Sequence, residues 1–298
     1  MDCFQPREIR LPDGRLQVVR CNRCLACLSH RQAEWITRLR VELEDHPTSS
    51  YFVTLTYDEE HLPVNTAKFD GDGYSFLDKV PSVRKRDIIS FHMDLRKRFQ
   101  QGFYNDDTLK RNGFGEVQRI PLPDCHFTFY LTSEYGPEGH RPHYHGLYFG
   151  LPEDNDLTFD LMTAIWKRGF TFIEPAASDK AAAYVAKYLV NTSLVPVSVH
   201  ADRPFALMSK GLGKGYLSPS RIEWHREDYL RRLYVPEHGT RQVLPRYLRD
   251  KILDDGMRAD ILEESLNREE AKEQAFSLLD PVEQALRERE TTLPNSGH

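Results

Sequence analysis

Hydrophobic positions recur along this chain with two periods, one near 3.6 residues and one of two. From Ser29 to Glu44, Ala33, Ile36, Leu39 and Leu43 fall at helical spacing and predict an amphipathic helix. YFVTLTY at Tyr51–Tyr57 is β-branched and aromatic, ends in an acidic, proline-bearing stretch, and predicts a strand. Asp58 to Val80 carries Pro63, Gly71 and Gly73 and reads as a long loop. Between Ser82 and Phe103, Ile88, Phe91, Met93, Leu95 and Phe99 interleave with Arg84, Lys85, Arg86, Arg96, Lys97 and Arg98, which predicts a basic helix with Ser82 as its cap. Cys125–Glu134 and His143–Phe149 read as strands joined by the turn chemistry of YGPEGHRP. A helix from about Phe159 to Arg168, a strand at Phe170–Ile173 and a helix from about Ser178 to Val190 follow. Asp260 to Glu290 is charged and helical in pattern, and the closing TTLPNSGH is expected to be disordered.

Strands alternating with helices, with one clear hairpin among them, favour an α+β domain over a doubly wound sheet. Four segments are expected: a Cys-rich extension with the first helix at 1–45, a central domain at 46–200, a basic segment packed on it at 201–251, and an acidic helical tail at 252–298. Neither a signal-peptide run nor an apolar stretch of membrane-spanning length is present, so a soluble, intracellular protein without membrane association is expected.

Charge changes the picture through its distribution. The formal net charge is −5, yet residues 252–298 hold 12 acidic against 5 basic residues, which leaves the rest of the chain slightly basic. From Arg203 to Lys251 there are 11 basic and 5 acidic residues. Contact with nucleic-acid backbone is therefore open to that segment and to the basic helix. Arg141, Lys210, Lys214 and Arg246 are the candidate phosphate contacts, and Tyr216, Trp224, Tyr229, Tyr234 and Tyr247 the candidate stacking rings. The loop SKGLGKGYL, Ser209–Leu217, is a candidate for holding a phosphate on its N–H groups, but it lacks the spacing of an ATP site.

Three constellations carry chemistry. In the strand containing Arg141-Pro142-His143-Tyr144-His145, the two histidines point to one face. If the preceding strand pairs across the turn, Glu134 stands opposite His143 on that face, giving a carboxylate and two imidazoles for a catalytic divalent ion. Tyr184, Lys187 and Tyr188 lie within about one helical turn, so a phenol nucleophile and a cation to assist it are neighbours. Packing of the tyrosines onto the sheet is the plainer alternative. Cys3, Cys21, Cys24 and Cys27 are suited to one structural zinc, with His30 as a substitute for one thiolate and reduced, buried thiols as the alternative. Cys125 begins a predicted strand and reads as a packing residue.

The order YFVTLTY, SEYGPEGHRPHYHGLYFG, AAYVAKYLVN resembles the three motifs of HUH rolling-circle replication initiators, and is similar to those of microviruses, the gokushovirus-like single-stranded DNA phages. CNRCLACLSHRQAEWITRL, FALMSKGLGKGYL and LPRYLRDKI extend the resemblance to about residue 250. It implies a central antiparallel sheet flanked by helices, of RRM or palm type. It further implies Mg²⁺ or Mn²⁺ at Glu134, His143 and His145, and Tyr184 and Tyr188 as nucleophiles that form a 5′-phosphotyrosine and free a 3′-OH. Tyr184 has a lysine three residues on whereas Tyr188 has Asn191, which selects Tyr184 for the first nick. The implied setting is the cytoplasm of a bacterial host, with a single-stranded DNA origin as substrate and a host or separately encoded helicase and polymerase as partners. Two rival readings remain at this point: a metal-dependent small-molecule hydrolase using Glu134, His143 and His145, and a non-catalytic, zinc-bearing nucleic-acid-binding module.

Overall fold

The computed structural model describes residues 3–10, 14, 16–71, 74–101, 126–176, 181–187, 200–237 and 239–277. Tyr188, Cys125, the ends of the helix expected over 178–190 and the closing TTLPNSGH lie outside them. The chain divides into two compact units, Met1–Tyr216 and Leu217–His298.

The first unit opens with a ribbon of β1 (Arg7–Arg10) and β2 (Leu16–Val19), followed by helix α1 (Leu25–Asp45), strand β3 (Ser50–Thr56) and a second ribbon of β4 (Val64–Gly71) and β5 (Tyr74–Pro81). Helix α2 (Lys85–Gln101), strands β6 (Thr128–Tyr135) and β7 (Pro142–Phe149), helix α3 (Asn155–Trp166) and strand β8 (Thr171–Pro175) come next. A helix α4, described over 181–187, and strand β9 (Ala206–Met208) complete the unit. Its centre is a five-stranded antiparallel sheet in the order β8-β3-β7-β6-β9. Because side chains alternate across each strand, the sheet has two inner faces. Tyr51, Val53, Leu55, Phe129, Leu131, Tyr144 and Tyr148 fill one face, against α2 through Ile88, Phe91 and Leu95 and α3 through Leu161, Met162 and Trp166. Phe52, Tyr130, Leu147 and Phe149 fill the other, against Leu39 and Leu43 of α1 and Ala182 and Val185 of α4. Burying each such side chain contributes roughly 1.5–3 kcal/mol, so both helical layers are held on mainly by these apolar faces.

This is the α+β architecture with a central antiparallel sheet and a flanking Cys-rich extension that the sequence implies. Two local expectations are corrected. The segment 58–80 is not a loop: β4 and β5 pair antiparallel from Val64 opposite Pro81 to Gly71 opposite Tyr74. Among the described residues these strands pair only with each other. A two-stranded ribbon need not bury a face, so its sequence lacks the alternation that marks sheet strands. Nor does Ser82 cap α2: it is buried, donating from Oγ to Asp202 Oδ2 (3.0 Å) and accepting from Asp202 N (2.9 Å). α3, in contrast, has a true cap, with Asp154 Oδ1 accepting from Leu157 N at 3.0 Å.

The second unit holds α5 (Pro219–Glu227), the hairpin β10 (Tyr234–Glu237) with β11 (Thr240–Val243), α6 (Arg246–Ile252) and α7 (Asp255–Ser277). Ser218 caps α5 through Arg221 N, and Arg226 Nε donates to Ile252 O (2.7 Å), tying α5 to the end of α6. No described helix is long and apolar enough to cross a membrane.

Candidate active site

The β6–β7 hairpin sets the register on which the site depends. Gly136 N donates to Arg141 O (2.9 Å), and the strands pair so that Glu134 stands opposite His143 and Thr132 opposite His145. On the other side of β7, Thr56 stands opposite His143 and Thr54 opposite His145. Glu134, His143, His145, Thr54 and Thr56 therefore share the sheet face that α1 and α4 cover farther along.

The histidine rings lie parallel, 7° apart in plane and 6.3 Å between centroids, as two residues one pleat apart on a strand should. His145 is buried and bonded at both nitrogens: Nε2 to Glu134 Oε1 at 2.7 Å and Nδ1 to Thr54 Oγ1 at 3.0 Å. With Glu134 ionised, Nε2–H donates to the carboxylate and a neutral ring accepts the Thr54 hydroxyl at Nδ1. A hydroxyl can also accept, so Thr54 equally supports the other tautomer, the one that leaves Nε2 free to ligate. Stacking of Phe52 against His145 (14° between planes, 6.0 Å) fixes the ring from the side.

His143 is half-buried. Burial first, and then the neighbouring His145, hold its pKa below the usual imidazole range, so it is neutral and its nitrogen lone pair is available near neutral pH. Its room comes from Gly136: a Cβ there would lie 2.8 Å from His143 Nε2, closer than packing allows. Glu134 and His145 are drawn together, but the ligand atoms of Glu134, His143 and His145 do not all come within 4.8 Å of one another. Among the described residues only the sulfurs of Cys3, Cys21, Cys24 and Cys27 meet that condition. The strand period explains the difference, since it sets the imidazoles side by side instead of converging them. The chemistry of the donor set, one carboxylate and two imidazoles on one face, still suits a divalent cation.

α4 brings the phenol. Ala182 and Val185 anchor the helix in the core, which turns Tyr184 towards the site with 41% of its surface exposed. Its ring meets Phe52 edge-on at 5.4 Å and His145 at 6.2 Å, and Lys187 Nζ stands 4.2 Å from its centroid. A cation over the ring favours negative charge on the phenol oxygen.

In the N-terminal extension, Cys21 Sγ lies 3.9 Å from Cys27 Sγ, and Cys24 Sγ 3.9 Å from Cys3 Sγ. Burial works to raise the Cys24 thiol, but N–H donors from Phe4 and Cys27 and the adjacent thiols outweigh it and bring it to about 6. The N–H groups of Arg23 and Cys24 lower Cys21, whereas burial pushes Cys27 up to about 12. His30 does not join the cluster; its Nε2 lies 3.9 Å from Glu34 Oε1.

The expected DNA contacts are scattered. Arg141 is held by Tyr57 O (2.9 Å) and the Glu59 carboxylate, Lys210 and Lys214 are exposed, and Arg246 is exposed beside Asp250 at 3.4 Å. Tyr216 is buried and offers no ring for stacking. Trp224, Tyr234 and Tyr247 face cations of their own unit, namely Arg232, Arg241 and Lys251, and Tyr229 donates to Asp260. The phosphate reading of SKGLGKGYL is corrected: Gly213 N donates to the buried Glu42 Oε1 (2.6 Å), Lys214 N to Gly211 O and Tyr216 N to Gly213 O. The loop is a clasp for α1, reinforced by Arg38 Nε on Leu212 O at 3.0 Å. Thr54, Phe52 and Gly136 are the site residues that sequence reasoning missed. For Thr54 and Phe52 the signal was present, since YFVTLTY alternates and one of its faces had to meet the histidine strand.

Residues 50–193 match the family model of replication-associated protein ORF2. The chain is 26% identical over 254 residues to replication-associated protein ORF2 of Spiroplasma virus 4, covering 76% of this chain and 67% of that one. It is 24% identical over 247 residues to replication-associated protein VP4 of Bdellovibrio phage phiMH2K, covering 77% and 66%. No solved structure matches significantly.

Proposed function

We propose that this chain, whose residues 50–193 match the replication-associated protein ORF2 family, starts rolling-circle replication by nicking a single-stranded DNA origin with Tyr184. The observation that carries this reading is the meeting of three elements on one sheet face. Glu134 stands opposite His143, His145 is bonded to Glu134, and the Tyr184 ring lies edge-on to His145. A small-molecule hydrolase would have no use for a half-exposed phenol with a lysine over its ring.

Glu134, His143 and His145 would hold Mg²⁺ or Mn²⁺, which supplies polarisation of the scissile phosphate. Thr54 and Phe52 keep the His145 ring in its plane, and Gly136 gives His143 its space. Tyr184 Oη forms a bond to phosphorus in line with the departing 3′ oxygen, which takes up a proton and becomes the 3′-OH for synthesis. The 5′ end remains on the tyrosine. Lys187 favours the phenolate before attack and offsets charge on the phosphate during it. Tyr188, outside the described residues, is proposed as the second nucleophile that closes the circle, and the helicase and polymerase are supplied separately.

Cys3, Cys21, Cys24 and Cys27 are further proposed to hold one structural Zn²⁺. Tetrahedral Zn–S bonds of about 2.3 Å set sulfurs about 3.8 Å apart, and both closest Sγ pairs lie at 3.9 Å. Incubation of the full chain with labelled single-stranded DNA and Mn²⁺, followed by denaturing electrophoresis, tests the nicking reading. A covalent protein–DNA species lost on chelation is expected, and its absence across a panel of origin strands would sink the proposal.

A further inference from the structure

The cross-strand rows continue past the histidines to the edge of the sheet. Phe172 stands opposite Thr54, which stands opposite His145. One pleat on, Phe170 and Thr56 exchange both backbone hydrogen bonds (2.9 and 3.1 Å), and Thr56 stands opposite His143. Residues opposite one another share a face, so both phenylalanines stand on the face of Glu134, His143 and His145, two strands and roughly 10 Å from the imidazoles. They are open to solvent, Phe170 at 70% and Phe172 at 55%.

Single exposed apolar residues are ordinary on a protein surface. Two aromatic rings at i and i+2, in the same rows as the candidate ligands, are a different matter, because their backbone is held firmly. Asp58 N donates to Arg168 O at 3.0 Å, and Thr56 O accepts from Trp166 Nε1 (2.8 Å) as well as from Phe170 N. Gly169, at φ +143°, makes this entry possible, since a Cβ would lie 2.4 Å from Asp58 N and 2.5 Å from Thr56 O. Lys167, exposed, sits just ahead of the two rings in sequence.

We infer that Phe170 and Phe172 form a stacking platform for bases of single-stranded DNA next to the phosphate that Tyr184 attacks. The inference rests on the nicking proposal for its geometry. A phosphate at the histidines leaves the neighbouring bases within reach of β8, and an aromatic face accepts any base, since every base has a π-face. The strand would be gripped beside the cut without base-specific hydrogen bonds, which leaves sequence choice to other contacts.

The test uses the full chain with a fluorescein-labelled dT20 strand, and a dT20 strand with one 2-aminopurine moved stepwise along it. Phe172→Ala and Phe170→Ala are each expected to weaken anisotropy-measured binding by about tenfold. Both should abolish the 2-aminopurine quenching seen with the unaltered protein. Phe172→Tyr should restore both signals and Phe172→Leu neither, which separates stacking from simple apolar contact. Phe159→Ala, an exposed phenylalanine on α3, which packs on the opposite face, should change nothing. Binding within twofold of the unaltered protein and unchanged quenching in the Phe170→Ala/Phe172→Ala double variant would overturn the platform. Because neither readout requires cleavage, failure to form the Tyr184 adduct would sink the nicking reading alone.

Discussion

A single oxygen separates tyrosine from phenylalanine, and Tyr184 is where that oxygen matters. Tyr184→Phe keeps the edge-on contacts with Phe52 and His145 and removes only the nucleophile. The covalent adduct should fall by at least roughly a thousandfold in a single-turnover assay while DNA binding persists. An adduct peptide that maps to Tyr188 in the unaltered protein would reverse the assignment. Gly136 offers a quieter probe. Gly136→Ala puts a methyl where His143 Nε2 now lies, and the imidazole, being the free end of a side chain, must turn away. Mn²⁺ affinity is expected to drop by about tenfold or more, as for loss of an orienting contact, with the thermal unfolding midpoint nearly unchanged. Titration of the bound metal reads the first and calorimetry the second; undiminished affinity would show that His143 is not a ligand.

Among the elements, α1 shows how a local sequence can leave a helix end unfinished. Its N-cap is Cys24, with no side-chain hydrogen bond to the first turn, and that turn holds no acidic residue. Thiolates gathered there would favour the positive end of the helix dipole, so a bound zinc doubles as the cap. Cys24→Ser is expected to lower zinc content from about one equivalent towards zero and the unfolding midpoint by several degrees. Zinc content unchanged in that variant would refute the site. The element level also separates what was readable from what was not. α1, β3, β6, β7, α3 and β8 were legible because each buries a face and therefore repeats with its own period. The ribbons β1–β2, β4–β5 and β10–β11 were not, because a two-stranded ribbon leaves little periodic trace in its sequence.

At the scale of the whole molecule, stability should depend on acidity through a residue far from the chemistry. His92 is buried between the sheet and α2, bonded through Nε2 to Tyr148 OH at 2.8 Å, and burial, helped by Arg96, brings it down to about 3. The unfolded chain takes up this proton near pH 6.5 and the folded chain only near pH 3, so stability is lost as pH falls through that window. At 1.36 kcal/mol per pH unit the loss approaches ~2 kcal/mol between pH 6.5 and 5. Denaturant titrations at both values should show it, and His92→Gln should flatten the dependence; an equal slope in the variant would exclude His92 as the cause. Metal removal should also act in two steps. Mild chelation is expected to stop nicking with the unfolding midpoint intact, and only prolonged chelation or thiol modification should lower that midpoint. Simultaneous loss of both would show that the two sites are not independent.

By itself the sequence determined the α+β class, the shared face of His143 and His145, the facing of Glu134 and the neighbourhood of Tyr184 and Lys187. Each of these follows from a period of two or 3.6 residues and a short turn, which are local physics. Only the tertiary structure decided which strand borders the histidines on their other side, because β3 lies nearly a hundred residues upstream of His145 and nothing local fixes that register. From that pairing came Thr54 as the His145 partner, Phe52 as its support and the exposed rings of β8 in the same rows. It likewise turned SKGLGKGYL from a phosphate loop into a clasp, since the buried Glu42 carboxylate of α1 already takes the Gly213 N–H. Long-range pairing and burial assign hydrogen-bond partners, and a chain read in one dimension lists only the donors and acceptors that await them.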